Sequence, residues 1–267
     1  MNDAAISAIT HALENKPDIR ALFLGGSYGL GLDDAYSDLD FIAVTTGGPT
    51  DAFARLWHEA VSQTGEIVLW WDRQAKPMLI NAVTAEWLRV DVQIATPAQT
   101  AQLSRNSVKV LFDHDRIYDG LPLSLKSSGP NLQRLKWQFE EFIRILGLLP
   151  LAMGREEYIN SVTGAFHLRN LLIDLLIEET GAPNRGGALH LNRLITREQK
   201  DVLASLPVLT PTRETIVPAY LAYAALYMPR ARKLAQSLGI AWPERFEQAT
   251  WARLKTELAI EPPFIAT

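Results

Sequence analysis

The chain has 267 residues, 48% of them hydrophobic and 21% charged, with a formal net charge of −4 and no cysteine. That length allows one large domain or two modest ones, and the balance is that of an ordinary globular protein. Disulfides, thiolate metal sites and a cysteine nucleophile are excluded, and the weak acidity argues against a nucleic-acid binder held by bulk electrostatics.

The first residues lack the basic region and apolar core of a signal peptide. No apolar run approaches the roughly 20 residues of a membrane span, since the run 143–153 is short and is broken by Pro150. A cytoplasmic protein without membrane contact is expected. Residues 4–13 are apolar at helical spacing, and the pattern ends near Lys16-Pro17. Residues 19–24 form a short apolar run that stops at Gly25-Gly26, which predicts a buried strand meeting a turn. Residues 39–45 are rich in β-formers and end at Gly47-Gly48-Pro49, so a second strand is predicted. A helix over 51–63 follows, with Thr50 or Asp51 as its N-cap.

Three further strands are predicted over 66–71, 77–83 and 87–95. The last alternates cleanly, with Arg89, Asp91 and Gln93 on one side and Val90, Val92 and Ile94 on the other. That pattern suits a strand with one face on a core and one on a cleft. A short strand over 108–112 and a polar turn over 113–120 end this half. Residues 123–130 read as a linker. Beyond it the pattern is helical over 132–149, 155–180, 197–205, 214–238 and 243–258, punctuated by Pro150, Gly181, Pro207, Pro211 and Gly239. The expected class is α+β: a mixed sheet with flanking helices over 1–124, then an all-α helical bundle over 125–267.

The chemistry concentrates in Gly25-Gly26-Ser27-Tyr28-Gly29-Leu30-Gly31 and Ser37-Asp38-Leu39-Asp40. Asp38 and Asp40 are one residue apart at the start of a strand, so both side chains lie on the same face. Ionised carboxylates that close repel unless cations neutralise them. Leu39 and Phe41 alternate with them and anchor the other face. Asp91, in the polar row of another strand, can complete the group. A strand that ends in Gly-Gly-Ser and enters a short helix exposes backbone amides, which bind phosphate oxygens, and the Ser27 hydroxyl adds a donor. Glycine at 26 lets a phosphate approach the backbone.

Gly26-Ser27, ten residues, then Asp38-x-Asp40 resembles the signature of the DNA polymerase β-type nucleotidyltransferase superfamily, and Asp91 in Val-Asp-Val-Gln-Ile resembles its third carboxylate. The stretch Gly-Ser-Tyr-Gly-Leu-Gly … Ser-Asp-Leu-Asp is especially similar to antibiotic nucleotidyltransferases that modify aminoglycosides or lincosamides. Gly29 departs from that group, which often has a small residue such as alanine there; glycine weakens a short helix. The motif likeness covers about 22–44 and 89–94, and the helical half resembles the group in layout only.

The resemblance implies transfer of a nucleoside monophosphate from ATP or GTP to a hydroxyl of a small acceptor bound between two domains, with release of pyrophosphate. Two magnesium ions roughly 4 Å apart serve such a reaction. Asp38, Asp40 and Asp91 are the expected metal ligands and catalytic residues, and Gly26 and Ser27 the expected nucleotide-binding residues. No stable nucleic-acid complex is expected, and a homodimer is left open. Two other readings stand beside this one. An AMP-transferring modifier of protein or RNA fits the motif, but the long helical half argues against it. A nucleotide-sensing module without turnover would not need the third carboxylate.

Other residues support two readings each. In 166–180, His167, Asn170, Asp174 and Glu178 form a polar stripe at spacings of three or four. It is either the wall of a substrate cleft, with Asp174 a candidate base, or a solvent-facing stripe. Arg169, off the stripe, is a surface arginine or reaches a triphosphate. Asp33 and Asp34 cap or solvate the turn before the motif. His114, between Asp113 and Asp115, imitates a metal cluster but falls in an expected surface turn. Trp70 and Trp71 place one indole on each face of a strand, one for the core and one bordering the site. The glycine pair in Arg185-Gly186-Gly187-Ala188-Leu189-His190 reads as a loop, not a phosphate loop. His11, His58 and His190 show no zinc spacing.

Overall fold

A computed structural model describes residues 2–73, 78–125, 129–181 and 191–264. The segment Arg185–His190 and part of the expected linker lie outside the described residues. The chain divides into two compact units, Met1–Lys126 and Ser127–Thr267.

The first unit runs α1 (Asn2–Leu13), β1 (Ile19–Leu24), α2 (Gly26–Gly29), β2 (Leu39–Thr45), α3 (Asp51–Ser62), β3 (Ile67–Arg73), β4 (Met78–Thr84), β5 (Arg89–Ala95), β6 (Lys109–Asp113) and α4 (Ile117–Gly120). Two short 3₁₀ turns, Pro97–Gln102 and Arg105–Ser107, join β5 to β6. The strands form one six-stranded sheet in the order β3-β4-β5-β2-β1-β6. β2 and β5 pair in parallel and the other neighbours are antiparallel, so the sheet is mixed.

Alternation decides which face is covered. Leu39, Phe41 and Ala43 of β2 and Val90, Val92 and Ile94 of β5 are buried, and they pack with Ile9 and Leu13 of α1 and Trp57 of α3. Trp57 meets Phe41 edge-on at 5.2 Å, the geometry aromatic quadrupoles favour. Thr50 is the N-cap of α3, its hydroxyl accepting the Phe53 amide at 3.1 Å. The opposite face carries a smaller apolar cluster that includes Phe23, Ile42, Val44, Val108 and Leu121.

The expected polar turn over 113–120 is corrected in part. The Asp113 carboxylate accepts the amides of Ile117 and Tyr118 at 3.0 and 2.8 Å and so starts the short helix α4. Side-chain capping of free amides outweighs the polar composition there.

The second unit is helical among the described residues: α5 (Leu132–Gly147), α6 (Leu149–Gly154), α7 (Tyr158–Thr180), α8 (Leu191–Leu194), α9 (Arg197–Ala204), α10 (Arg213–Leu238) and α11 (Glu244–Leu258). The expected break near Pro150 is present: α5 ends at Gly147 and α6 begins at Leu149, with Pro150 in its first turn, where the missing N–H is not needed. The core of this unit includes Phe142 stacked on Tyr227 at 3.7 Å. No helix among the described residues is long and apolar enough to cross a membrane.

Candidate functional site

The site begins with strand register. In the parallel pair, Leu39 lies opposite Val90 and Asp40 opposite Asp91. In the antiparallel pair, Asp91 lies opposite Asn81, and Asn81 in turn lies opposite Trp71 of β3. Residues directly opposite each other project from the same face. Asp40, Asp91, Asn81 and Trp71 therefore form one row across four strands, on the face away from α1 and α3. Asp38, two residues before Asp40, shares that face, and its Oδ2 lies 3.3 Å from Nη1 of Arg89.

The turn after β1 closes against this row. Gly25 donates its amide to the carbonyl of Asp40 at 2.8 Å, which ties the turn to β2. Gly26 has φ +51°, and a Cβ placed there would stand 1.9 Å from Oδ2 of Asp40. Only glycine takes up this conformation and leaves the carboxylate its place. Gly29 has a different reason, because a Cβ there would stand 2.1 Å from the carbonyl oxygen of Ser107. The departure at Gly29 thus follows from a close backbone approach rather than from helix propensity.

The first intrahelical bond of α2 runs from the Gly29 amide to the Gly25 carbonyl, and no side chain caps the helix start. The amides of Gly26, Ser27 and Tyr28 precede that bond. Ser27 is buried, and its hydroxyl oxygen has no hydrogen-bond partner among the described residues.

The electrostatics single out Asp40. Partial burial, then the charges of Asp38 and Asp91, push its carboxyl up to about 6, against the opposing pull of Arg89. Like charges brought together on a partly desolvated face are what a bound cation relieves. Among the described residues, no three His, Asp or Glu side chains form a ready-made metal cage. A magnesium ion does not require one, since it usually takes one or two carboxylates and completes its shell with water and phosphate oxygens. The donor set of Asp38, Asp40 and Asp91 fits that chemistry. A cavity of about 270 Å³ beside α1 and the end of α3 contains none of these residues.

The other candidates fall elsewhere. On α7, Asp174 Oδ2 accepts from Gln138 at 2.9 Å and from Arg134 at 3.2 Å. Nε2 of His167 lies 3.4 Å from Glu141, which also holds Arg144, while Asn170 is exposed. Asp174 and His167 thus have partners within their own unit. Asp34 Oδ1 accepts the Tyr36 amide at 2.9 Å and so holds the turn before the motif. The His114 ring lies 2.8 Å from the Glu14 carbonyl, and Asp115 pairs with Arg20, so the sequence cluster at 113–115 is spread among structural contacts. Trp70 packs towards the core, with His58 at 4.8 Å, and Trp71 is 52% exposed.

Two residues of the site were not singled out from sequence. Asn81 carries a buried Oδ1 with no partner among the described residues. Its signal is a lone amide in the apolar run Leu79-Ile80-Asn81-Ala82-Val83. Arg89 belongs to the polar row of β5, and its pairing with Asp38 follows only from the packed structure.

No protein-family model matches the chain, and no curated protein matches it. Among solved structures the chain is similar to an aminoglycoside 6-adenyltransferase from Bacillus subtilis. That pair has 15% identity, covers 94% of this chain and 95% of the other, and has a TM-score of 0.41. It is also similar to a nucleotidyltransferase-like protein from Exiguobacterium sibiricum, with 14% identity, coverage of 97% and 89%, and a TM-score of 0.40.

Proposed function

We propose that this chain is a magnesium-dependent nucleotidyltransferase that moves a nucleoside monophosphate from ATP or GTP to a hydroxyl of a small molecule, releasing pyrophosphate. The observation that carries the reading is Asp40 in register with Asp91, with Gly26 backed against the Asp40 carboxylate. An acid with its ionised form disfavoured by burial and by two like charges has no evident role in holding the sheet together.

Asp38 and Asp40 would hold the magnesium ions, with Asp91 beside them on β5. Bound magnesium would supply charge stabilisation to the attacking and leaving oxygens. The amides of Gly26 and Ser27 orient the β- and γ-phosphates, which fixes the direction in which pyrophosphate leaves. Asp91 takes the proton of the acceptor hydroxyl as the new phosphoester bond forms and the α–β phosphoanhydride breaks. The motif around Gly26 and Asp38 favours an antibiotic-like acceptor of aminoglycoside or lincosamide type.

The test is incubation with magnesium, labelled ATP or GTP, and a panel of aminoglycosides and lincosamides, followed by assay of pyrophosphate and of nucleotidylated product. A labelled small molecule supports the reading. Label on protein or RNA would replace the acceptor class, and nucleotide binding without pyrophosphate would make the chain a sensor. Transfer at full rate by Asp40→Asn would remove the site assignment.

A further inference from the structure

Among the described residues, Arg89 is a cation placed against the carboxylates of the site. Arg89 stands two residues before Asp91 on β5 and on the same face, and its guanidinium lies 3.3 Å from Oδ2 of Asp38. Its neighbour on the other side, in register on β4, is Val83, which offers no charge. Arg89 thus sets one positive charge against the three carboxylates of Asp38, Asp40 and Asp91.

The pair is weak by construction. Both side chains are substantially exposed, at 40% and 32%. Exposed pairs of this kind contribute little to stability. A divalent ion at this site would be held by the carboxylates of Asp38 and Asp40 and would gain from Asp91 beside them. Arg89 and such an ion compete for the negative charge of the Asp38 carboxylate. A guanidinium released there is a planar fork suited to phosphate oxygens, and a nucleotide triphosphate brings negative charge to the same face.

Resting on the nucleotidyl-transfer reading, we propose that Arg89 is an exchangeable counter-ion. Without nucleotide it occupies Asp38 in place of a metal ion; with metal and nucleotide it leaves Asp38 for a phosphate oxygen. Metal alone is therefore held weakly, and metal and nucleotide bind together. Arg89 is a positioning residue for Asp38 in the first state and a phosphate ligand in the second.

The experiment counts bound Mn²⁺ by electron paramagnetic resonance, first without nucleotide and then with ATP, in the wild type, Arg89→Gln, Arg89→Lys and Asp40→Asn, with folding checked by circular dichroism. Arg89→Gln is expected to bind Mn²⁺ alone about two- to fivefold more tightly and Mn²⁺–ATP about tenfold more weakly. Arg89→Lys is expected to restore weak binding of Mn²⁺ alone but only part of the ATP affinity, because an ammonium lacks the fork. If Arg89→Gln binds Mn²⁺ no more tightly than wild type while Asp40→Asn loses it, Arg89 only braces Asp38 and the proposal is overturned, with the transfer reading intact. If wild type and Asp40→Asn bind Mn²⁺ alike, the metal site itself is wrong and the Arg89 assignment falls with it.

Discussion

Asp40 and Glu247 are carboxylates in the two units of this chain, and their surroundings are opposite. Glu247 is 3% exposed. Its Oε2 accepts the indole N–H of Trp242 at 2.6 Å and a guanidinium N–H of Arg232, and its Oε1 accepts the indole of Trp251 at 3.3 Å. Asp40 is less buried, yet its neighbours are Asp38 and Asp91, and its carboxyl is pushed up to about 6. A buried acid surrounded by donors fastens one element to another, here α10 to α11. An acid surrounded by other acids is a cost to the fold that a ligand offsets.

Four measurements test that contrast, and the largest effect is on transfer. Asp40→Asn should lower the rate of nucleotidyl transfer by about 10³-fold, read as pyrophosphate release, with the fold retained. Wild-type activity in that variant would place the chemistry elsewhere. Glu247→Ala should do the reverse. Removing one partner of a buried pair costs about 3–5 kcal/mol, so denaturant titration should show a large loss of stability while transfer per folded molecule is unchanged.

Gly26→Ala comes next. Its Cβ would stand 1.9 Å from Oδ2 of Asp40 at φ +51°, so it should displace the carboxylate and lower transfer about 10- to 100-fold, with a stability loss of about 1–2 kcal/mol from the left-handed backbone. Unaltered kinetics there would mean that the turn does not position Asp40.

The smallest effect is a pH dependence of the metal-free protein. The Asp40 carboxyl moves from its ordinary 3.8 to about 6 on folding. Its proton is therefore held more tightly in the folded state, and the associated stability is full below about pH 4 and lost as pH rises through about 6. Asp40→Asn should raise the melting temperature of metal-free protein by a few degrees at pH 7.5 and leave it unchanged at pH 4. A shift of equal size at both pH values would trace the effect to something other than charge.

Much of the fold was legible because it is locally encoded. The strands at 19–24 and 39–45 have the predicted bounds, since apolar runs closed by glycine leave little choice. The alternation of 89–95 correctly separated Arg89, Asp91 and Gln93 from the buried Val90, Val92 and Ile94. The expected turn at 113–120 fails where a contact overrides composition, because the Asp113 carboxylate begins α4. Asn81 escaped notice because one amide in an apolar strand has no meaning until its neighbours across the sheet are known.

The sequence by itself determined that Asp38 and Asp40 share a face of one strand, because side chains alternate with a period of two. It also placed a glycine turn just before them and a lone acid in the polar row of a later strand. Only the tertiary structure decided that the later strand, β5, lies parallel to β2 with Asp91 opposite Asp40, that Asn81 continues the row, and that Arg89 reaches Asp38. Strand order and register depend on how the two sheet faces are covered, and that is a property of the packed whole rather than of any short stretch of chain.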